Sequence, residues 1–172
     1  HLFDVSQVVL KRRFFMFGLN KDTPVVGKAE TKVKSPCKDV FSFVGADFIK
    51  NYPKWSPEVV ELESLTDGDV KVGTMCRQVR IDQGRRSEST FKVTIFQPGK
   101  RICFEGVSNP YRCDYVLEED KSITISHIHF TFELLSLELF MRPFEKLIRM
   151  AVQDGTEKTV RNIKKLVESK NN

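Results

Sequence analysis

The chain is 172 residues long, 40% hydrophobic and 30% charged, with a net charge of +5. That length gives one domain with little left for a second, and a chain of this size buries its core without a disulfide or metal staple. The composition excludes a disordered chain, and no apolar run reaches the ~18–20 residues that cross a bilayer as a helix.

Residues 1–24 form an arm with neither a clean helical nor a clean strand period. Phe14-Phe15-Met16-Phe17-Gly18-Leu19 follows Lys11-Arg12-Arg13 as at the start of a signal peptide. The run is shorter than the ~7–15 residues expected, and no small-residue cleavage site follows, so secretion is unsupported. Asn20–Pro24 is a turn cluster that separates the arm from a domain over 25–172.

Val25–Lys34 alternates, with Gly27, Ala29, Thr31 and Val33 on one face and charged residues on the other, which predicts a half-exposed strand. Ser35 is expected to cap a helix with Pro36 at its first position and Asp39 in its first turn. Val40, Phe41, Val44 and Phe48 continue it at helical spacing, and it is expected to break near Asn51-Tyr52-Pro53. A short stiff element, Pro53–Pro57, follows. Six strands come next: 59–65, 73–82, 86–96, 101–107, 111–118 and 123–135. Short turns join them into an antiparallel meander. A long helix is predicted from Leu137 to Ser169. Its apolar stripe runs Phe140, Phe144, Leu147/Ile148, Ala151/Val152, Gly155, Thr159, Ile163 and Leu166, with Gly155 as a point of close approach.

The 14 Phe stand against 3 Tyr and 1 Trp. Phe brings apolar surface without a polar handle, so this excess implies a dense core or a greasy cavity. Cys37, Cys76, Cys103 and Cys113 contain no C-x-x-C pair, which reads as reduced, buried thiols in a cytoplasmic protein and not as a zinc or redox site. The positive excess lies at the two ends, +2 over residues 1–24 and +4 over 141–172, against −1 between them. Basic ends suit either an ordinary solvated helix face or an anionic surface.

The order of elements, with Val33-Lys34-Ser35-Pro36, Asp39–Val44, Tyr52–Val59, Val72-Gly73-Thr74, Thr94–Phe104 and the long C-terminal helix, resembles the START-like (SRPBCC, helix-grip) superfamily. Within it, the polyketide cyclase/dehydrase-like branch is most similar. The resemblance covers about 25–169 and leaves the arm unexplained. It implies an α+β helix-grip fold, a curved antiparallel sheet wrapped around a long C-terminal helix, with an internal cavity for lipids, polyketides or other hydrophobic molecules. It also implies a Trp55 near the cavity mouth.

Strand parity supplies the remaining candidates for ligand contact: Val79, Phe91, Val93, Phe104, Tyr115 and Phe130, with Phe144 and Ile148 facing them from the helix. Arg77 shares parity with Val79 and Ile81, and Tyr115 with Cys113 and Leu117. Arg77 is therefore the candidate to hold a carboxylate or enolate, and Tyr115 to donate a hydrogen bond; Glu88 and Asp114 are further carboxylates of unfixed facing. His127 and His129 share a strand face, but Thr131 and Glu133 share it with them, which places them on the solvent side and argues against a metal site. No cofactor is expected: there is no phosphate-cradling glycine loop, nucleotide fingerprint or Ser-His-Asp order.

Three functions remain open. The leading one is carriage or sensing of a small hydrophobic ligand. The second is a polyketide cyclase, aromatase or dehydratase, which needs polar groups inside the cavity. The third is a membrane- or quinone-associated adaptor that uses the basic arm, with residues 8–17 at a membrane surface. The arm docked on the domain or on another protomer is preferred to membrane contact, and nucleic acid ranks last. Oligomeric state is not readable from the chain.

Overall fold

Small or apolar residues alternating with charged ones make Val25–Val33 strand β1. The computed structural model describes residues 24–171; the arm, including residues 8–17, lies outside the described residues. After β1 come α1 (Cys37–Phe41), a π-helical turn (Ser42–Ala46) and α2 (Phe48–Trp55). Strands β2 (Val59–Ser64), β3 (Met75–Asp82), β4 (Arg85–Gln97), β5 (Arg101–Gly106), β6 (Tyr111–Glu119) and β7 (Ser126–Leu134) follow. A 3-10 segment (Leu139–Phe144) then leads into α3 (Glu145–Ser169).

The seven strands form one antiparallel sheet in the order β1-β7-β6-β5-β4-β3-β2. Five of its six pairings are hairpins between consecutive strands, and the sixth sets β1 beside β7. The β3–β4 turn is two residues, Gln83 and Gly84, with φ of 51° and 80°. Positive φ at both positions matches the right-handed twist of the flanking strands.

The sheet's inner face and α3 enclose the core. Ile148, Val152, Thr156, Val160, Ile163 and Val167 are the buried side of α3. At Gly27 the helix lies close against the sheet: an added Cβ would strike Thr156 Oγ1 and stand 2.8 Å from Val152 Cγ1.

Three local expectations are corrected. Ser35 does not cap α1; Pro36 occupies the cap position with extended backbone and no side-chain bond. The helix does not end before Pro53, since α2 carries that proline inside it and ends at Trp55. The C-terminal helix starts with a 3-10 segment because Pro143 has no N–H to give to an α-helical ladder. A 3-10 turn advances each residue by about 120° instead of 100°, so the face of Phe140 and Phe144 does not continue into α3. The buried stripe accordingly runs through Thr156, Val160 and Val167 in place of Gly155, Thr159 and Leu166.

Candidate functional site

Aromatic side chains fill the middle of the inner face. Phe91 and Phe104 pack as a tilted pair at 4.5 Å between ring centroids, and Tyr115 and Phe130 stack at the same distance. Phe48 of α2 sits 5.9 Å edge-on from Phe91 and 5.3 Å from Phe104. Trp55 closes the set, 5.9 Å from Tyr115, and its indole N–H donates to the Tyr115 hydroxyl at 3.3 Å. Gln78 donates to the Tyr111 hydroxyl at 3.2 Å and to Ser89 Oγ at 3.1 Å. Burial pushes the hydroxyls of Tyr52, Tyr111 and Tyr115 well above the usual tyrosine range, so all three stay neutral hydrogen-bonding groups.

A groove of about 620 Å³ opens beside this core, between the end of β3, the end of α2 and α3 from Leu147 to Arg161. Its inner wall is Trp55, Arg80 and Asp82, and its outer wall includes Leu147, Met150, Ala151, Gly155 and Thr159. Leu147, Met150, Asp154, Lys158 and Arg161 on α3 are solvent-exposed, so the groove reaches the surface.

Arg80 dominates its polar floor. The residue is 4% exposed, and its guanidinium donates to both Asp82 carboxylate oxygens at 3.3 Å and to Ser56 Oγ at 3.1 Å. Burial works against its charge, but the neighbouring Tyr52 and Asp82 outweigh burial and hold the guanidinium above the usual arginine range. On the rim, Lys158 bridges to Glu58 at 2.6 Å and ties α3 to the segment after α2. Partial burial opposes the Glu58 charge, yet the Lys158 hydrogen bond prevails and holds its carboxyl below the usual range. Asn162 adds a second tie, donating to the Trp55 carbonyl at 2.9 Å. The arrangement offers an apolar strip at Trp55, Leu147, Met150 and Ala151 in an otherwise polar lining, with Glu58, Asp154, Lys158 and Arg161 around the buried Arg80–Asp82 pair. That suits an amphipathic molecule better than a purely hydrocarbon one.

The residues predicted for the site divide into three groups. Trp55 lines the groove. Phe91, Val93, Phe104, Tyr115, Phe130 and Ile148 belong to the packed core beside it. Val79, Arg77 and Phe144 require correction, and the carboxylates of unfixed facing, Glu88 and Asp114, lie on the outer face. Val79 and Arg77 face away from the core cluster, because β3 presents Cys76, Gln78, Arg80 and Asp82 inward, one residue out of phase with the expected parity. Arg77 instead bonds Glu88 at 2.6 Å and Glu61 at 3.3 Å on the outer face. Asp114 forms a bidentate pair with Arg101 at 2.9 and 2.7 Å, also outside. Phe144 is 54% exposed.

Arg80 and Asp82 are the groove-lining residues that sequence parity missed. The β3–β4 turn held the signal: with two residues in the turn, Asp82 pairs Arg85 and Cys76 pairs Phe91. An inward Phe91 therefore forces an inward Arg80. His127 and His129 lie on the outer face, where His129 contacts Glu30 at 2.9 Å and Glu118 at 3.3 Å. Among the described residues no helix is long and apolar enough to cross a membrane. The four cysteines are buried and unpaired.

A family model described as polyketide cyclase/dehydrase and lipid transport matches residues 26–168. The chain belongs to this family. Its members' fold is also found in solved structures of low identity. The aromatase/cyclase Zhui from Streptomyces sp. R1128 superposes with a TM-score of 0.72 at 11% identity, over 87% of this chain and 97% of that one. A Thermus thermophilus protein gives 0.67 at 17% identity, over 86% and 99%. Truncated norcoclaurine synthase from Thalictrum flavum gives 0.65 at 17% identity, over 88% and 98%. No match is found among curated proteins. The family's antiparallel sheet closed by a C-terminal helix is what this chain builds, and the groove beside that helix carries a buried arginine on its floor.

Proposed function

We propose that the chain binds a small amphipathic hydrophobic molecule in the groove between β3 and α3, as a carrier or sensor. The observation that carries this reading is the groove of about 620 Å³, with an apolar wall at Trp55, Leu147 and Met150 and the Arg80–Asp82 pair on its floor. That volume falls in the range of small-molecule sites. The ligand's apolar body lies against the wall, where burial contributes about 25 cal/mol per Å² removed from water. Its polar end, a carboxylate, hydroxyl or ketone, meets Arg80. Family membership supports the same reading. A cytoplasmic setting is part of it, supported by four cysteines that stand as separate buried thiols.

Trp55 is the sole tryptophan and lines the groove, so its fluorescence reports directly on occupancy. Titration with oleate is expected to shift and quench Trp55 emission saturably. Native mass spectrometry is expected to detect the one-to-one complex. An unchanged spectrum together with a bare protein mass across fatty acids, isoprenoid alcohols and aromatic polyketides would refute the reading.

A cyclase or dehydratase activity is the second reading, favoured by one observation: Arg80 sits against Tyr52, whose hydroxyl burial keeps protonated. A fixed cation beside a neutral hydroxyl is able to stabilise an enolate as it forms. Arg80 takes the role that parity gave to Arg77. The reading requires turnover of a poly-β-ketone substrate that is lost in Arg80→Met and weakened in Tyr52→Phe.

A further inference from the structure

Among the described residues one short stretch concentrates exposed apolar surface. Phe140, Phe144, Leu147 and Met150 are 50%, 54%, 65% and 56% exposed, while Val60, Leu65, Val72, Val107 and Ile123 are scattered elsewhere along the chain. Taking ~150–250 Å² for each large side chain, four of them half-exposed present about 400 Å². That is within the ~300–600 Å² of the largest apolar patch on a typical monomer, a patch that is often functional. A protein interface of ~800 Å² per partner is a little over half apolar, so area alone does not choose between a second copy of this chain and another occupant.

Charge identifies a better occupant. Within the same stretch Arg142, Lys146 and Arg149 are interleaved with the apolar residues, against Glu145 alone, which pairs with Arg149 at 2.7 Å. The whole segment 141–172 carries +4. Phe and Leu alternating with Lys and Arg is the composition of an interfacial segment: its apolar side chains enter the acyl boundary and its cations meet anionic headgroups. Position adds to this, because Leu147 and Met150 belong both to the patch and to the groove. A bilayer lying on Phe140–Met150 would meet the groove at its mouth.

We propose that Phe140–Met150 is a docking surface for an anionic lipid bilayer. The surface shares Leu147 and Met150 with the groove and is tested without a ligand. The full chain is mixed with vesicles of phosphatidylcholine alone or of phosphatidylcholine with phosphatidylserine, and flotation is measured. It is expected to float with the phosphatidylserine vesicles, to float less in high salt because headgroup attraction is screened, and to lose binding about tenfold or more in Phe144→Ser/Leu147→Ser. Both side chains are exposed, so the variant is expected to melt like the native chain. Failure of the native chain to float with either vesicle would overturn the proposal. So would undiminished flotation of a folded double variant, or a native dimer in sedimentation that the double variant splits.

Discussion

Gly27→Ala tests how tightly α3 is held against the sheet. The backbone at Gly27 accepts alanine, since its φ is not in the left-handed region, so any loss comes from space alone. The new Cβ would lie 2.8 Å from Val152 Cγ1 and 3.0 Å from the Val152 carbonyl oxygen, and would strike Thr156 Oγ1. The first of these can rotate, but the carbonyl cannot. It already accepts the Thr156 hydroxyl at 2.6 Å. Overpacking of this kind costs about 1–3 kcal/mol, and the reduced freedom of the unfolded chain returns about 0.4–1 kcal/mol. The net loss is therefore about 1–2 kcal/mol, or a Tm lower by roughly 2–8 °C for a chain of this size. Thermal unfolding followed by circular dichroism reads it. In the Thr156→Ala background the loss is expected to shrink without vanishing, because the carbonyl remains, and the coupling is expected to exceed ~0.5 kcal/mol. A Gly27→Ala protein as stable as the native one would refute the account of the helix–sheet contact. Displaced outward, α3 would also carry Ala151 and Gly155 away from Trp55, so Trp55 emission is expected to shift with the same substitution.

Other outcomes follow from the same geometry. Arg80→Met is expected to weaken oleate binding about tenfold, ~1.4 kcal/mol, while leaving oleyl alcohol less affected, as read by Trp55 fluorescence; equal losses for both would mean that Arg80 only supports the fold. The three tyrosines of the chain, Tyr52, Tyr111 and Tyr115, all have raised pKa values. In the unfolded chain they ionise near pH 10 and in the folded one they do not, so their contribution to stability is complete below pH ~10 and falls as pH rises above it. Ultraviolet titration is expected to show no tyrosinate until alkaline unfolding, and then all three together; a separate earlier step would contradict their burial. Glu58, held below its usual range, contributes in the opposite sense, its effect present at neutral pH and lost on acidification below pH ~4.5. Since Lys158 and Glu58 are partly exposed, Glu58→Gln is expected to cost less than ~1 kcal/mol in urea unfolding at pH 7, and a larger loss would show that the bridge closes the groove rim more firmly than its exposure implies.

The architecture was legible because strand alternation and turn residues are local signals. The strands of the meander lie within a few residues of the predicted ones, and the strand–helix–strands–helix order carries the family resemblance. The candidate site was harder, because it depends on phase. One residue of slip on a strand turns every side chain to the other face. On β3 that slip exchanged Arg77 for Arg80. Val79 misled the reading, since it is fully buried on the outer side, outside the main core cluster. On α3 the 3-10 segment rotates the stripe, so Phe140, Phe144 and Leu147, which read as core, are surface while Ile148 stays inside. In both places an apolar residue lies on the outer side. The pairing enforced by a two-residue turn, and the proline that breaks an α-helical ladder, were the better guides.

The four thiols have a practical consequence. Each of Cys37, Cys76, Cys103 and Cys113 is at most 7% exposed. Burial raises all four pKa values, to about 12 for Cys76 and about 11 for Cys103. Maleimides and disulfide reagents attack the thiolate, so the folded domain offers them almost nothing at neutral pH. A single cysteine introduced at Thr159, on the groove wall, would therefore be the one fast-reacting thiol among the described residues. A dye placed there could follow entry and exit of a hydrophobic guest in real time, with no need to strip the native sulfur from the core.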